Sequence, residues 1–171
     1  DIIPLSEKEM LTIRGNEIAM IFQDPMTALN PTMRIGKQIT EVLLKHKKVA
    51  SKAAAKARAI ELLDQVGIPF PEKRFKAYPH ELSGGMRQRV IIAIALAANP
   101  KLLIADEPTG NLDSTTSVEV MNMFRELNRK QGITVIIVTH DPKTAAFTDR
   151  AINMSDGLIL EGVSDELSAT L

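Results

Sequence analysis

The sequence predicts an α/β fold: a parallel sheet core with a helical subdomain inserted between two of its strands. Three observations carry this. Short apolar runs at Ile18–Phe22, Leu102–Ala105 and Thr134–Val138 each give way abruptly to polar residues, as buried strands of a parallel sheet do. A helical stretch, Ser117–Lys130, lies between the last two, so residues 102–138 form a strand–helix–strand unit. From about Asn30 to Tyr78 the chain has helical patterning and no convincing strand.

Each element has its own signals. Lys52–Val66 places Ala59, Leu62, Leu63 and Val66 on one helix face, and Gly67 then Pro69 stop it. Gly84–Ala98 runs helically to the terminator Asn99-Pro100. Ser117–Lys130 carries Val118, Met121, Phe124 and Leu127 at three-residue spacing, with Thr115 or Ser114 as its expected cap and Gly132 past its end. Ala151–Met154 and Leu158–Leu160 flank Asp156-Gly157 and predict a small hairpin.

With 171 residues the chain holds one domain with a real core. Lys plus Arg number 21 and Asp plus Glu 21, so the net charge is zero and no nucleic-acid partner is expected. The longest apolar run, Val90–Ala98, falls far short of the ~20 residues that span a bilayer. The opening DIIPLSEKEM lacks the basic start and apolar centre of a signal peptide. Membrane contact is therefore expected through a partner. No cysteine is present, which removes disulfides and thiolate metal sites and makes a reducing compartment the default.

The sharpest motif is Leu82-Ser83-Gly84-Gly85-Met86-Arg87-Gln88-Arg89, opening a helix. Ser83 offers a hydroxyl, the glycines admit a ligand close to the backbone, and the helix start presents unpaired N–H groups. Together these suit a phosphate. The plainer reading, a Ser cap followed by a flexible glycine pair, is equally open at this point.

Leu102–Ala105 then runs into Asp106-Glu107, two carboxylates at a strand end, where open α/β sheets bind ligands. Asp106 is placed to hold Mg²⁺, directly or through water, and Glu107 to orient and deprotonate an attacking water. An acidic loop without function is the alternative. The strand Val135–Val138 ends in Thr139-His140-Asp141, which puts His140 beside the acids, within reach of a γ-phosphate or water. A lone His is more often a structural hydrogen-bonder. Gln23, after Ile18–Phe22, is a neutral amide able to reach Mg²⁺ or water.

Taken together and in this order, these motifs resemble the ABC-type ATPases over nearly the whole chain. The resemblance implies a P-loop NTPase-like core. It implies that Ser83, Gly84 and Gly85 are the signature that touches ATP held by an opposite subunit. Asp106 is then the Walker B acid, Glu107 the general base, His140 the switch histidine and Gln23 the Q-loop glutamine. Asn111-Leu112-Asp113 matches the D-loop, which crosses the dimer interface. Residues 1–29 are expected to end the N-terminal core, 30–81 to form the helical subdomain and 82–171 to carry the signature helix and the rest of the core. The implied cofactors are ATP and Mg²⁺. The implied partners are membrane permease subunits and a second ATPase subunit, at the cytoplasmic face of the membrane, with a permease helix docked beside Gln23.

IFQDPMTALNPTMRIGKQI and YPHELSGGMRQRVIIAIALAANPKLLIADEPT are similar to the dipeptide, oligopeptide and nickel importer ATPases, so peptide import is expected. Gly110-Asn111-Leu112-Asp113-Ser114 and THDPKTAAFTDRAINMSDG instead resemble the lipoprotein-release and macrolide-export ATPases, the alternative function. No Walker A string G-x-x-x-x-G-K-[ST] occurs; the only Gly-Lys, Gly36-Lys37, continues to Gln38. The family carries that loop ahead of the Q-loop. The expectation is an N-terminally shortened chain, inactive alone, rather than a paralogue that has lost the loop. A module that only lends Ser83 to a partner is the non-catalytic alternative.

Overall fold

The computed structural model describes residues 2–23 and 28–160. Residues 24–27 of the IFQDPMTALNP string and the tail of the expected 82–171 unit lie outside the described residues. A short helix, α1 (Glu7–Ile13), opens the chain on a capping box. The Ser6 hydroxyl accepts from the Glu9 N–H at 3.4 Å, and the Glu9 carboxylate accepts from the Ser6 N–H at 2.8 Å. Strand β1 (Ile18–Ile21) follows.

Helices α2 (Ile35–Lys45), α3 (Lys52–Gln65) and α4 (Pro71–Phe75) occupy the next stretch and pack on one another. Ile35, Ile39 and Leu43 of α2 and Ala55, Ala59, Leu62 and Leu63 of α3 are buried between them. Gly36 of α2 faces the Phe75 ring at the end of α4, and a Cβ there would overlap the ring. Gly36→Ala is therefore expected to lower stability by about 1–3 kcal/mol, although alanine is the better helix former. A denaturant midpoint measures this, and Phe75→Leu in the same chain should restore part of the loss. An unmoved midpoint would mean that the ring has room to shift.

Helix α5 (Gly84–Leu96) packs against β1, α2 and α3. Its buried residues, Gln88, Val90 to Ala93, Ala95 and Leu96, lie almost all round it, as expected for a helix enclosed by helices and sheet. Strand β2 (Leu102–Asp106), helix α6 (Ser114–Gln131) and strand β3 (Thr134–Val138) make the predicted strand–helix–strand unit. The sheet order is β1-β2-β3, parallel throughout, with Ile21 opposite Ala105 and Asp106 opposite Val138. A four-residue helix, α7 (Pro142–Ala145), and the hairpin β4 (Met154–Ser155) and β5 (Leu158–Ile159) complete the fold.

Four expectations are corrected. The cap of α6 is Asp113, not Thr115 or Ser114, because its carboxylate accepts from the Thr116 N–H at 3.0 Å. The buried stripe of α6 is Val120, Met121, Phe124 and Leu127, whereas Val118 is 44% exposed. Strict three-residue spacing drifts off the buried face of a 3.6-residue helix, and Val118 lies beyond that drift. The first hairpin strand begins at Met154, the last residue of the predicted Ala151–Met154. Finally, the sheet is not buried on both faces. Ala19, Ile21, Leu103 and Ala105 turn inward, while Met20, Ile136 and Val138 are exposed on the opposite face.

Candidate functional site

Parallel strands in register bring their carboxyl ends to one edge. Gln23 follows β1, Asp106 ends β2 with Glu107 next, and Thr139 and His140 follow β3. Asp106 lies on the sheet face shared by Met20, Ile104 and Ile136, since residues two apart point the same way. Its carboxylate has no ion-pair partner among the described residues. That leaves it free to meet a hard cation.

Glu107 turns out of the strand. Its N–H donates to the Val138 carbonyl at 2.9 Å, and its φ of +43° is left-handed, a conformation that costs a non-glycine residue energy. The turn swings its carboxylate across to the next strand. There the His140 N–H donates to Oε1 at 2.8 Å, His140 Nδ1 lies 2.5 Å from the same oxygen, and the Thr139 hydroxyl donates to Oε2 at 3.0 Å. The Thr139 oxygen accepts from the Asp141 N–H at 3.1 Å, which turns its proton toward Glu107. Asp141 in turn caps α7, accepting from Lys143 and Thr144 N–H groups. The loop carrying His140 is thus pinned on both sides.

Burial pushes the Glu107 carboxyl up, but the His140 N–H and ring and the Thr139 hydroxyl outweigh it and hold it below its ordinary value. The Glu107 side chain is 13% exposed and that of His140 88%. The dyad therefore pairs a sheltered carboxylate with an imidazole open to solvent. Buried Thr109 and Thr144 share a hydrogen bond of 3.1 Å, tying the loop after Glu107 to α7. Gln23 is exposed, and its main-chain carbonyl accepts from Asn111 Nδ2 at 3.4 Å, so the loops after β1 and β2 meet.

The second group is the turn at the start of α5. Ser83 is its N-cap: its hydroxyl accepts from the Met86 N–H at 3.3 Å. The plain reading of this serine as a cap holds, and the residue is exposed at the helix mouth. The two glycines differ. A Cβ on Gly84 would meet nothing within 4 Å, whereas one on Gly85 would lie 2.8 Å from Thr116 Cγ2 of α6. Gly84 faces open space and Gly85 a neighbouring helix. Asp113, three residues before Thr116, accepts from the Thr116 hydroxyl at 2.7 Å, and these bonds hold its carboxyl below the usual range.

The structure therefore gathers Asp106, Glu107 and His140 at one edge, with Gln23 and Asn111 at its side. It gathers Ser83, Gly84, Gly85 and Asp113 in a second group. No hydrogen bond joins Ser83 to Asp106 or Glu107 among the described residues. Sequence reasoning missed Thr139 and Thr116, whose roles depend on side-chain direction and leave no spacing signal.

The family model for the ABC transporter matches residues 3–110. The chain is 60% identical over 169 residues to the oligopeptide transport ATP-binding protein OppD of Bacillus subtilis (strain 168), covering 98% of this chain and 47% of that protein. To the dipeptide transport ATP-binding protein DppD of Lactococcus lactis subsp. cremoris (strain MG1363) it is 53% identical, covering 98% of this chain and 48% of that one. The chain thus spans about half the length of the curated relatives it matches. A solved dimeric ATP-binding cassette, in a post-hydrolysis state with ADP and Pi, superposes with a TM-score of 0.81 at 35% identity, covering 94% of this chain and 68% of that one. Sequence and fold agree, and the chain belongs to the ABC transporter family.

Proposed function

We propose that this chain is the signature- and base-bearing part of an ATPase subunit that powers import of peptides or related solutes. The observation that carries the reading is the capture of Glu107 by His140 and Thr139 beside an unpaired Asp106.

Asp106 would hold Mg²⁺ directly or through a water, with Gln23 reaching the same ion. Mg²⁺ takes most of its ligands from water and phosphate, so one carboxylate and a neutral amide are a sufficient share from the protein. Bound Mg²⁺–ATP supplies the phosphoryl group to be transferred to water. Glu107 takes the proton of that water, and its hold by Thr139 and His140 keeps it ionised and aimed. His140 presents its exposed ring edge toward the phosphate side. Ser83, Gly84 and Gly85 offer a hydroxyl and helix-start N–H groups to phosphate oxygens, and Asp113 lies at the adjoining turn. Ser83 makes no hydrogen bond to Asp106 or Glu107 among the described residues, and a second subunit that completes each half-site accounts for the two groups. This chain holds no Walker A string. Acting alone it is expected to turn nothing over.

Residues 30–81 are read as the helical subdomain. A groove of about 450 Å³, lined by Met20, Phe22, Ala28, Val42, His46 and Ile94, reaches Phe22, the residue before Gln23, and suits a permease helix. No helix among the described residues is long and apolar enough to cross a membrane. The family reading places the subunit peripherally, at the cytoplasmic face. The Gly110-Asn111-Leu112-Asp113 segment favours a second reading, lipoprotein release or macrolide export. The test is uptake by vesicles holding the full-length protein and its permease. Labelled peptide should accumulate with MgATP and not with a non-hydrolysable analogue. Hydrolysis without peptide uptake would sink the import reading and leave the ATPase reading standing.

A further inference from the structure

The guanidinium of Arg89, one turn beyond the Gly84-Gly85 pair on α5, does not face solvent. Its side chain is 16% exposed and ion-pairs with Glu119 of α6 through Nη2. Through Nη1 it donates to the Val66 carbonyl at 2.9 Å. Val66 is the C-cap of α3, so this carbonyl is one that the helix leaves without an internal partner. A cation there also meets the negative end of the helix dipole. Gly67 makes the approach possible twice over. Its φ of +71° is left-handed, and a Cβ on it would lie 2.7 Å from Arg89 Nη1.

Arg89 is one of two joints along the same seam. Gly85 touches Thr116, and four residues on Arg89 meets Glu119, three residues after Thr116. These spacings put both residues of each helix on one face. Thr116 is also the residue through which Asp113 caps α6. The Ser83 turn and the Asp113 turn are thus the starts of two helices clamped side by side, and the clamp reaches α3 through Val66.

We propose that Arg89 and Glu119 are positioning residues that lock the Ser83 turn, the Asp113 turn and the end of α3 into one rigid unit. The proposal rests on the ATPase reading for its catalytic consequence, though not for its geometry. A lysine would keep the charge, but one ammonium point cannot serve two divergent acceptors as a planar fork does. A lysine at 119 would set like charges face to face.

The chain has no cysteine, so spin labels at Ala57→Cys and Asn122→Cys, both exposed, report the α3–α6 distance without background from it. In the full-length protein, without nucleotide, a single narrow distance peak is expected. Glu119→Lys and Arg89→Lys should each lose that narrow peak, while Glu119→Gln, which keeps an acceptor, retains it. In steady state, Arg89→Lys should lower kcat about tenfold with KM for ATP unchanged, the cost of a misplaced group. If Glu119→Lys does not fold, Arg89→Lys alone decides. An unbroadened peak in Arg89→Lys overturns the lock. A broadened peak with unchanged kcat overturns the positioning role and leaves a merely structural one. If the unsubstituted full-length protein hydrolyses no ATP, the ATPase reading falls while the distance result still judges the lock.

Discussion

Glu107→Gln is expected to cut ATP hydrolysis by the full-length protein by a factor of ~10²–10⁴ while nucleotide binding persists. The substitution keeps the length and shape of the side chain. Its carbonyl oxygen can still accept from the His140 N–H, now 2.8 Å from Oε1. The amide has no basic lone pair to take a proton from water, so the loss is confined to that step. Circular dichroism melting should fall only modestly: the amide gives up the charged acceptor of the His140 and Thr139 donors, but the left-handed backbone at 107 and its bond to Val138 are untouched, so the chain stays folded. Equal turnover by parent and variant would remove Glu107 from the base role. A pH profile adds a second handle. The Glu107 carboxyl titrates below its ordinary value, so it remains charged to lower pH than an ordinary carboxylate. The stabilisation tied to its ionised form is fully present above the unfolded value and disappears as pH falls through the depressed folded one. The acid limb of kcat/KM should accordingly lie below the usual carboxylate range. Thr139→Val removes one donor, and that limb should then move upward.

Which parts were legible in the sequence follows from which forces leave a linear trace. Burial leaves one: Leu62, Leu63, Phe124 and Leu103 are core residues because apolar periodicity marks them. Strand ends leave one too, since LLIA turning into Asp106-Glu107 marks the edge where the site lies. The face of a strand does not. Thr134–Val138 reads as uniformly apolar, so its exposed Ile136 and Val138 could be told only from what packs over them. Helix α1 had a usable signal, Ser6 followed three residues on by Glu9, which apolar periodicity alone passes over. Caps compete locally, and Asp113 won over Ser114 and Thr115 because a carboxylate reaches two Thr116 donors where a hydroxyl reaches fewer. The functions of Thr139 and Arg89 depend on partners 32 and 30 residues away in sequence. No spacing rule carries such a pair.

Gly84 and Gly85, the pair proposed to meet phosphate, should separate stability from activity when substituted. Gly84 is the first residue of α5, with nothing within 4 Å of a Cβ placed there. Gly84→Asp is thus sterically free in the fold, and a carboxylate in a helix's first turn stabilises it by about 0.3–1 kcal/mol. Melting should hold or rise. The same charge sits where the helix start would offer its N–H groups to phosphate oxygens, and it competes for them at close range. Hydrolysis by the full-length protein should therefore fall roughly 10²-fold or more, comparable to losing one oxyanion donor. Gly85 behaves in the opposite way. Its added Cβ would lie 2.8 Å from Thr116 Cγ2, so Gly85→Ala strains the seam between α5 and α6 and should lower the melting point first. Gly85→Ala combined with Thr116→Ser, which removes the obstructing methyl but keeps a hydroxyl for Asp113, should recover the stability. If Gly84→Asp left turnover intact, the open side of Gly84 would not be the phosphate side, and the signature turn would be a helix cap alone.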